Sequence, residues 1–143
     1  MSHFKYTLVI FLGLLLAGCA TLSDVLKDKE EGTVAIYKID KDSAWDIAKT
    51  VLRWEDCETI EENKLSNYML TTVGRNFISE GSVVGVWVEP VNDEETKITV
   101  VSKRKVQTNL ATGMTESTFQ ESYAKAVEMV KSGKSLPIEK PEF

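Results

Sequence analysis

Histidine is almost missing from this 143-residue chain, His3 being the only one. Beyond the third residue there is no imidazole, so the usual general base near neutral pH and the commonest metal ligand are both absent. Basic residues are outnumbered as well: 17 Lys and Arg face 22 Asp and Glu, a net charge of −5. That balance excludes the electropositive footprint of a nucleic-acid binder. Nor is there a long hydrophobic run. The stretch from Tyr6 to Ala20 falls short of the about 20 apolar residues that span a bilayer and is interrupted by Gly13 and Gly18. Internal repeats and low-complexity tracts are absent too.

What is present at the amino end is Lys5, an apolar run from Tyr6 to Leu15, and then Leu16-Ala17-Gly18-Cys19. A charged residue followed by an apolar region is the pattern of a secretory signal. A plain signal, however, gives no reason for cysteine directly after Leu-Ala-Gly. The tetrapeptide resembles the lipobox of bacterial lipoproteins, in which the cysteine is lipidated and becomes the first residue of the mature protein. The resemblance implies that Leu16, Ala17 and Gly18 are the signal-peptidase recognition residues, that Cys19 carries the lipid, and that residues 1–18 are removed. Two or three acyl chains on one residue give stable anchoring, at about 0.8 kcal/mol per buried methylene. Ala20 stands where an aspartate favours retention at the inner membrane, which leans the destination toward the outer membrane, facing the periplasm.

Cleavage leaves 125 residues, one domain's worth. With Lys5 lost, 16 basic residues face 22 acidic ones. With Cys19 consumed, Cys57 is the last thiol, and no internal disulfide is possible.

Residues 19–32 carry Asp24, Lys27, Asp28, Lys29, Glu30 and Glu31, with Leu22, Val25 and Leu26 at helical spacing. The expectation is a lipidated amino terminus and a short frayed helix or tether that lifts the domain off the headgroups. The domain itself is expected over 33–133. Val34 and Ile36 alternate with Ala35 and Tyr37 in a first strand; Ala44, Trp45, Ala48, Val51 and Leu52 form the apolar stripe of a helix capped by Asp42 or Ser43. Cys57–Glu62 and Tyr68–Val73 form a hairpin.

Val83–Val88 is apolar on both sides and predicts a central strand, and after the turn Asn92–Glu95 the run Lys97–Ser102 returns as its antiparallel partner. A loop over 108–115, with Gly113 at its turn, leads to a second helix. Ser117 with Gln120, or Thr118 with Glu121, offers a capping box, and Phe119, Tyr123, Ala126, Val127 and Val130 form its stripe before Gly133. Residues 134–143 are expected to be a flexible tail. The order argues an α+β fold, a two-layer sandwich of a mostly antiparallel sheet of about five strands with two helices on one face. The other face, around Trp87, is expected to be only partly covered.

No catalytic constellation emerges. Cys57 lies between Asp56 and Glu58, whose charges would raise its pKa, the opposite of what a reactive thiolate needs. Glu58, Glu61 and Glu62 lack the Asp/Asn/Gly spacing of a calcium loop. Ser122-Tyr123-Ala124-Lys125 has the Ser-x-x-Lys spacing, but inside the second helix and without the companion motifs of penicillin-binding enzymes. Trp45 fits core packing. Lys103-Arg104-Lys105 is the one basic cluster, able to meet wall carboxylates, lipid phosphates or an acidic partner, or to balance nearby acids.

The segments Trp54–Glu62 and Thr112–Phe119 are similar to those of an uncharacterised family of small bacterial lipoproteins. That resemblance covers most of the mature chain and implies a compact α/β domain in the cell envelope, with no activity to carry over. The expectation is therefore a membrane-anchored, non-enzymatic binding protein without cofactor or metal. Its partner would be an envelope protein or the cell wall, met through Trp87, Lys103, Arg104 and Lys105. The alternatives are self-association through the open sheet face and, behind that, an enzymatic or metal-dependent module.

Overall fold

A computed structural model describes residues 20–57, 59–74, 81–105 and 114–143. The lipobox from Leu16 to Cys19, Glu58 and the turn at Gly113 lie outside them. The elements run α1 (Leu22–Lys27), a 3-10 turn (Lys29–Glu31), β1 (Thr33–Tyr37), α2 (Lys41–Trp54), β2 (Glu61–Asn63), β3 (Tyr68–Val73), β4 (Ser82–Pro90), β5 (Thr96–Arg104) and α3 (Glu116–Lys131). The strands form one antiparallel sheet in the order β1-β5-β4-β3-β2. This is the expected α+β sheet with α2 and α3 on one face.

Both long helices begin at a cap two or three residues earlier than expected. Asp40, not Asp42 or Ser43, accepts from the Ser43 backbone N–H at 3.0 Å and starts α2 at Lys41. In α3, Thr115 and Thr118 cap reciprocally, at 3.2 and 3.0 Å. An extended residue whose side-chain oxygen reaches back into the first turn satisfies an otherwise orphaned donor, and Asp40 and Thr115 hold that backbone conformation.

The core between the helices and the sheet gathers Ile47, Val51 and Leu52 from α2, Phe119, Tyr123 and Ala126 from α3, and Val84, Val86, Val88, Ile98 and Val100 from the central strands. Trp45 is part of it, its indole N–H given to Glu62 Oε2 at 2.8 Å. Buried Tyr123 donates its hydroxyl to the Ala44 carbonyl at 2.9 Å and packs 4.8 Å from the Tyr37 ring. One polar contact therefore fixes the two helices against each other inside the core.

The opposite face departs from expectation. Val83, Gly85 and Trp87 are not open: α1 lies across them, and Val25 is fully buried against Leu70, Val83, Trp87 and Val101, with Leu22 and Tyr68 at the margin. Trp87 is 4% exposed. The segment expected to be a tether is a third layer of the domain. Full burial of a valine is worth about 1.5–3 kcal/mol, a direct contribution to holding the short helix on the sheet. Gly85 makes room for it, because a Cβ there would stand 2.5 Å from Val25 Cγ1 and 2.9 Å from the Trp87 ring. Gly32 lets the chain cross back into β1, as its Cβ would meet the Val100 carbonyl at 2.6 Å.

The carboxyl-terminal segment also folds back. The Trp54 indole donates to the Pro137 carbonyl at 3.0 Å, Lys140 pairs with Glu55, and the Phe143 ring lies 6.0 Å from Trp54 under Lys125 Nζ. The expectation of a free tail overlooked that a buried tryptophan needs an acceptor, and Trp54 finds it there.

Gly85→Ala is expected to destabilise the protein by about 1–3 kcal/mol through overpacking, and Val25→Ala by about 1–2 kcal/mol through lost burial. Because the two side chains collide, the glycine substitution costs less in the Val25→Ala background. Urea unfolding followed by tryptophan fluorescence measures all three variants. Unchanged midpoints would mean that α1 is no part of the folded unit.

Candidate functional site

Alternation along β5 determines where the basic cluster goes. Lys97, Thr99, Val101 and Lys103 leave the sheet on the α1 side, while Ile98 and Val100 face the long helices. Lys103 is met by Asp28, just after α1, in a close ion pair. Asp28, in the segment expected to be a tether, thus neutralises part of the triplet. Arg104, opposite Ser82, lines an open cavity of about 400 Å³ together with Thr33, Ser82, Ser102 and Thr115.

Glu116 closes the floor of that cavity. One of its carboxylate oxygens accepts from the Thr33 N–H at 3.1 Å and from Thr33 Oγ1 at 2.6 Å, and the other from the Ser102 N–H at 3.0 Å. A carboxylate in the first turn of α3 is favoured by the helix dipole. Here it also ties the start of β1 to the end of β5. Its oxygens are already occupied by these donors, so this is a structural clamp in a hydroxyl-lined recess.

Lys105 continues the sheet one step past β5. Its N–H donates to the Gly81 carbonyl at 3.1 Å, and its carbonyl accepts from the Ala20 N–H at 3.2 Å. The backbone of Lys105 is therefore held on both sides, and the residue that follows Cys19 is bonded to the last member of the basic cluster. Nothing in the sequence signals this juxtaposition, because a single backbone bond between segments 85 positions apart leaves no periodicity.

On the same face, a second charged group is tightly held. Glu89 lies between Lys29 at 2.7 Å and Lys97 at 3.1 Å, and the Lys29 ammonium stands 5.8 Å from the Trp87 ring. Burial alone would raise the Glu89 pKa, but the two lysines outweigh it and hold the carboxyl below the ordinary glutamate value. The cluster roofs the far edge of the Trp87 site.

The remaining candidates are placed as follows. Cys57 is half-buried, in an isolated bridge with Val73, and its thiol pKa is raised mainly by burial; Asp56 contributes only a minor part. Glu61 is exposed, and Glu62 is taken by Trp45 and Lys49. Among the described residues no group of three or more His, Cys, Asp or Glu is arranged to hold a metal ion, and no helix is long and apolar enough to cross a membrane. Val34 and Ile36, on edge strand β1, are 55% and 58% exposed.

Because the folded Glu89 carboxyl titrates below its unfolded value of 4.5, it binds fewer protons when folded. Its stabilisation is complete above that value and disappears as pH falls through the folded pKa. Glu89→Gln is expected to cost about 1–2 kcal/mol at neutral pH, between the figures for exposed and buried pairs. The difference from wild type should shrink on acidification below 4.5. Denaturant unfolding across that range checks the sign; a difference independent of pH would assign the loss to packing.

No protein-family model and no curated protein matches the sequence. The similarity of residues 54–62 and 112–119 to a lipoprotein family therefore rests on those segments alone. Among solved structures, the chain is similar to an uncharacterised protein of Bacillus thuringiensis, with a TM-score of 0.46 and 9% identity over 68% of this chain and 95% of that one. At that distance the likeness carries no argument about function.

Proposed function

We propose that the chain is a lipid-anchored cell-envelope protein whose α+β domain is a non-enzymatic binding module for an envelope protein or the cell wall. The observation that carries this reading is Leu16-Ala17-Gly18-Cys19 at the end of the apolar run. The structure adds support from the other side of the cysteine. Ala20, next to the cysteine, is bonded to Lys105 at the end of the sheet, so that a lipid on Cys19 would be attached one residue from the folded domain. Ala20 in place of aspartate favours the outer membrane, facing the periplasm. The Trp87 surface no longer supports self-association, since α1 covers it.

Intact mass of the protein recovered from bacterial membranes tests the reading. Wild type is expected as a species starting at Cys19 with added diacylglycerol mass. Cys19→Ala is expected to lose that mass and to leave the membrane fraction. An unmodified wild-type chain cleaved elsewhere would overturn the anchor and leave a secreted domain.

A further inference from the structure

We infer that the open edge of the sheet pairs with itself: β1 joins β1 of a second copy of the chain, antiparallel and centred on Ala35, so that one sheet runs through both copies. The direction of the backbone is the first support. Val88 donates its N–H to the Asn67 carbonyl at 2.8 Å, so it is turned toward β3 and is not bonded to Ile98, which stands opposite it in β5. Bonded and unbonded pairs alternate along an antiparallel ladder. Ile98 therefore directs its own N–H and C=O to Ala35 in β1, and the residues on either side of Ala35 direct theirs the other way. Gln120 Nε2 agrees with this, reaching the Ile98 and Thr33 carbonyls at 3.4 and 3.2 Å within the β1–β5 seam. The N–H and C=O groups of Val34 and Ile36 are the ones that face the open edge.

The second support is that this edge is unguarded. Edge strands are ordinarily blunted by charge, proline, a bulge or brevity. β2, at the other edge, is blunted: it has three residues, and Glu61 and Glu62 are two of them. β1 is five residues, Thr-Val-Ala-Ile-Tyr, with neither charge nor proline. Its Val34 and Ile36 side chains, 55% and 58% exposed, stand beside Thr99 and Lys97 on the α1 side of the sheet. An edge that pairs only with its own kind closes as a two-fold dimer and does not propagate.

The register selects the second copy as occupant. Centring on Ala35 sets Val34 opposite Ile36 of the second copy and Ile36 opposite its Val34, so the residues with outward backbone groups meet as bonded pairs and their aliphatic side chains merge into one patch. A slip of one residue would set outward groups against inward ones, and a slip of two would set Ile36 against Gly32 or Val34 against Lys38. The flanking charges fit the same arrangement. Exposed Glu30 and Glu31 precede β1 and exposed Lys38 follows it, so the antiparallel sense brings each Lys38 to the acidic end of the other strand. Asp40, beyond Lys38, is turned onto the Ser43 N–H of its own helix. Lys29 and Lys97 are held by Glu89, and Glu116 by Thr33 and Ser102.

The inference does not depend on the lipid anchor, and its test is disulfide trapping. Single cysteines are placed in the full chain, which is recovered from bacterial cells without denaturation and exposed to a mild thiol oxidant. Mass spectrometry of the joined peptides separates the products from any that involve Cys19 or Cys57. In the inferred register the two Ala35 residues form an unbonded pair with Cα atoms about 4.5 Å apart, a distance that a disulfide spans. The two Ile36 residues lie on a diagonal of about 7–8 Å, beyond that reach. Ala35→Cys is expected to give a 35–35 product. Ile36→Cys alone, and Leu65→Cys on the exposed β2–β3 turn, are expected to give none. Adding Ile36→Lys to Ala35→Cys should abolish the product, because a charge blunts the edge. Co-production of Val34→Cys and Ile36→Cys, both at exposed side chains, is expected to join 34 to 36 and serves where Ala35→Cys impairs folding. Absence of both the 35–35 and the 34–36 products overturns the pairing. So does an equal yield at every position including 65, which is the mark of random collision.

Discussion

Burial of β4 on both sides is the constraint from which the architecture follows. Ser82 through Val88 are all buried, and a strand of that kind must be covered above and below. On one side the cover is α2 and α3, each with a continuous apolar stripe. On the other it is six residues of helix, a glycine that admits them, and ion pairs that hold their flanks. Without this small cover, a tryptophan, two valines and a leucine would face water.

The covering layer explains the charges around it. Asp28 and Lys29 follow directly on α1 and meet Lys103 and Glu89, which leave β5 and β4 on the α1 side. Each pair lies at the margin of an apolar contact, where partial exclusion of water strengthens it without the full desolvation cost of a buried ion. The net acidity of the chain hides this arrangement, because opposite charges distant in sequence cancel locally.

The sheet was legible because its signals are periodic. Two-residue alternation in β1, apolar continuity in β4, the polar turn at Asn92–Glu95, and three- and four-residue steps in α2 and α3 all persist over enough residues to exclude other readings. What escaped are features carried by one or two residues. Leu22, Val25 and Leu26 are too few to distinguish a docked helix from a frayed one. Gly85 in an otherwise apolar strand was the available sign that something approaches closely there, on the face around Trp87 that was expected to be only partly covered. The tail escaped for a similar reason: only the unsatisfied Trp54 N–H pointed to it. The basic cluster was visible as composition, whereas its proximity to Ala20 depends on a tertiary contact.

The strand order has a temporal side. β1 lies against β5, and α1 rests on side chains from β3, β4 and β5. Everything from Ala20 to Tyr37 thus has its partners among residues made much later, and long-range pairing of this kind is slow because the loop must close before any contact rewards it. The tertiary partners of that first portion are complete only once the β4–β5 hairpin has formed. For a chain exported before folding, as proposed above, such a dependence keeps the leading segment from docking ahead of the rest.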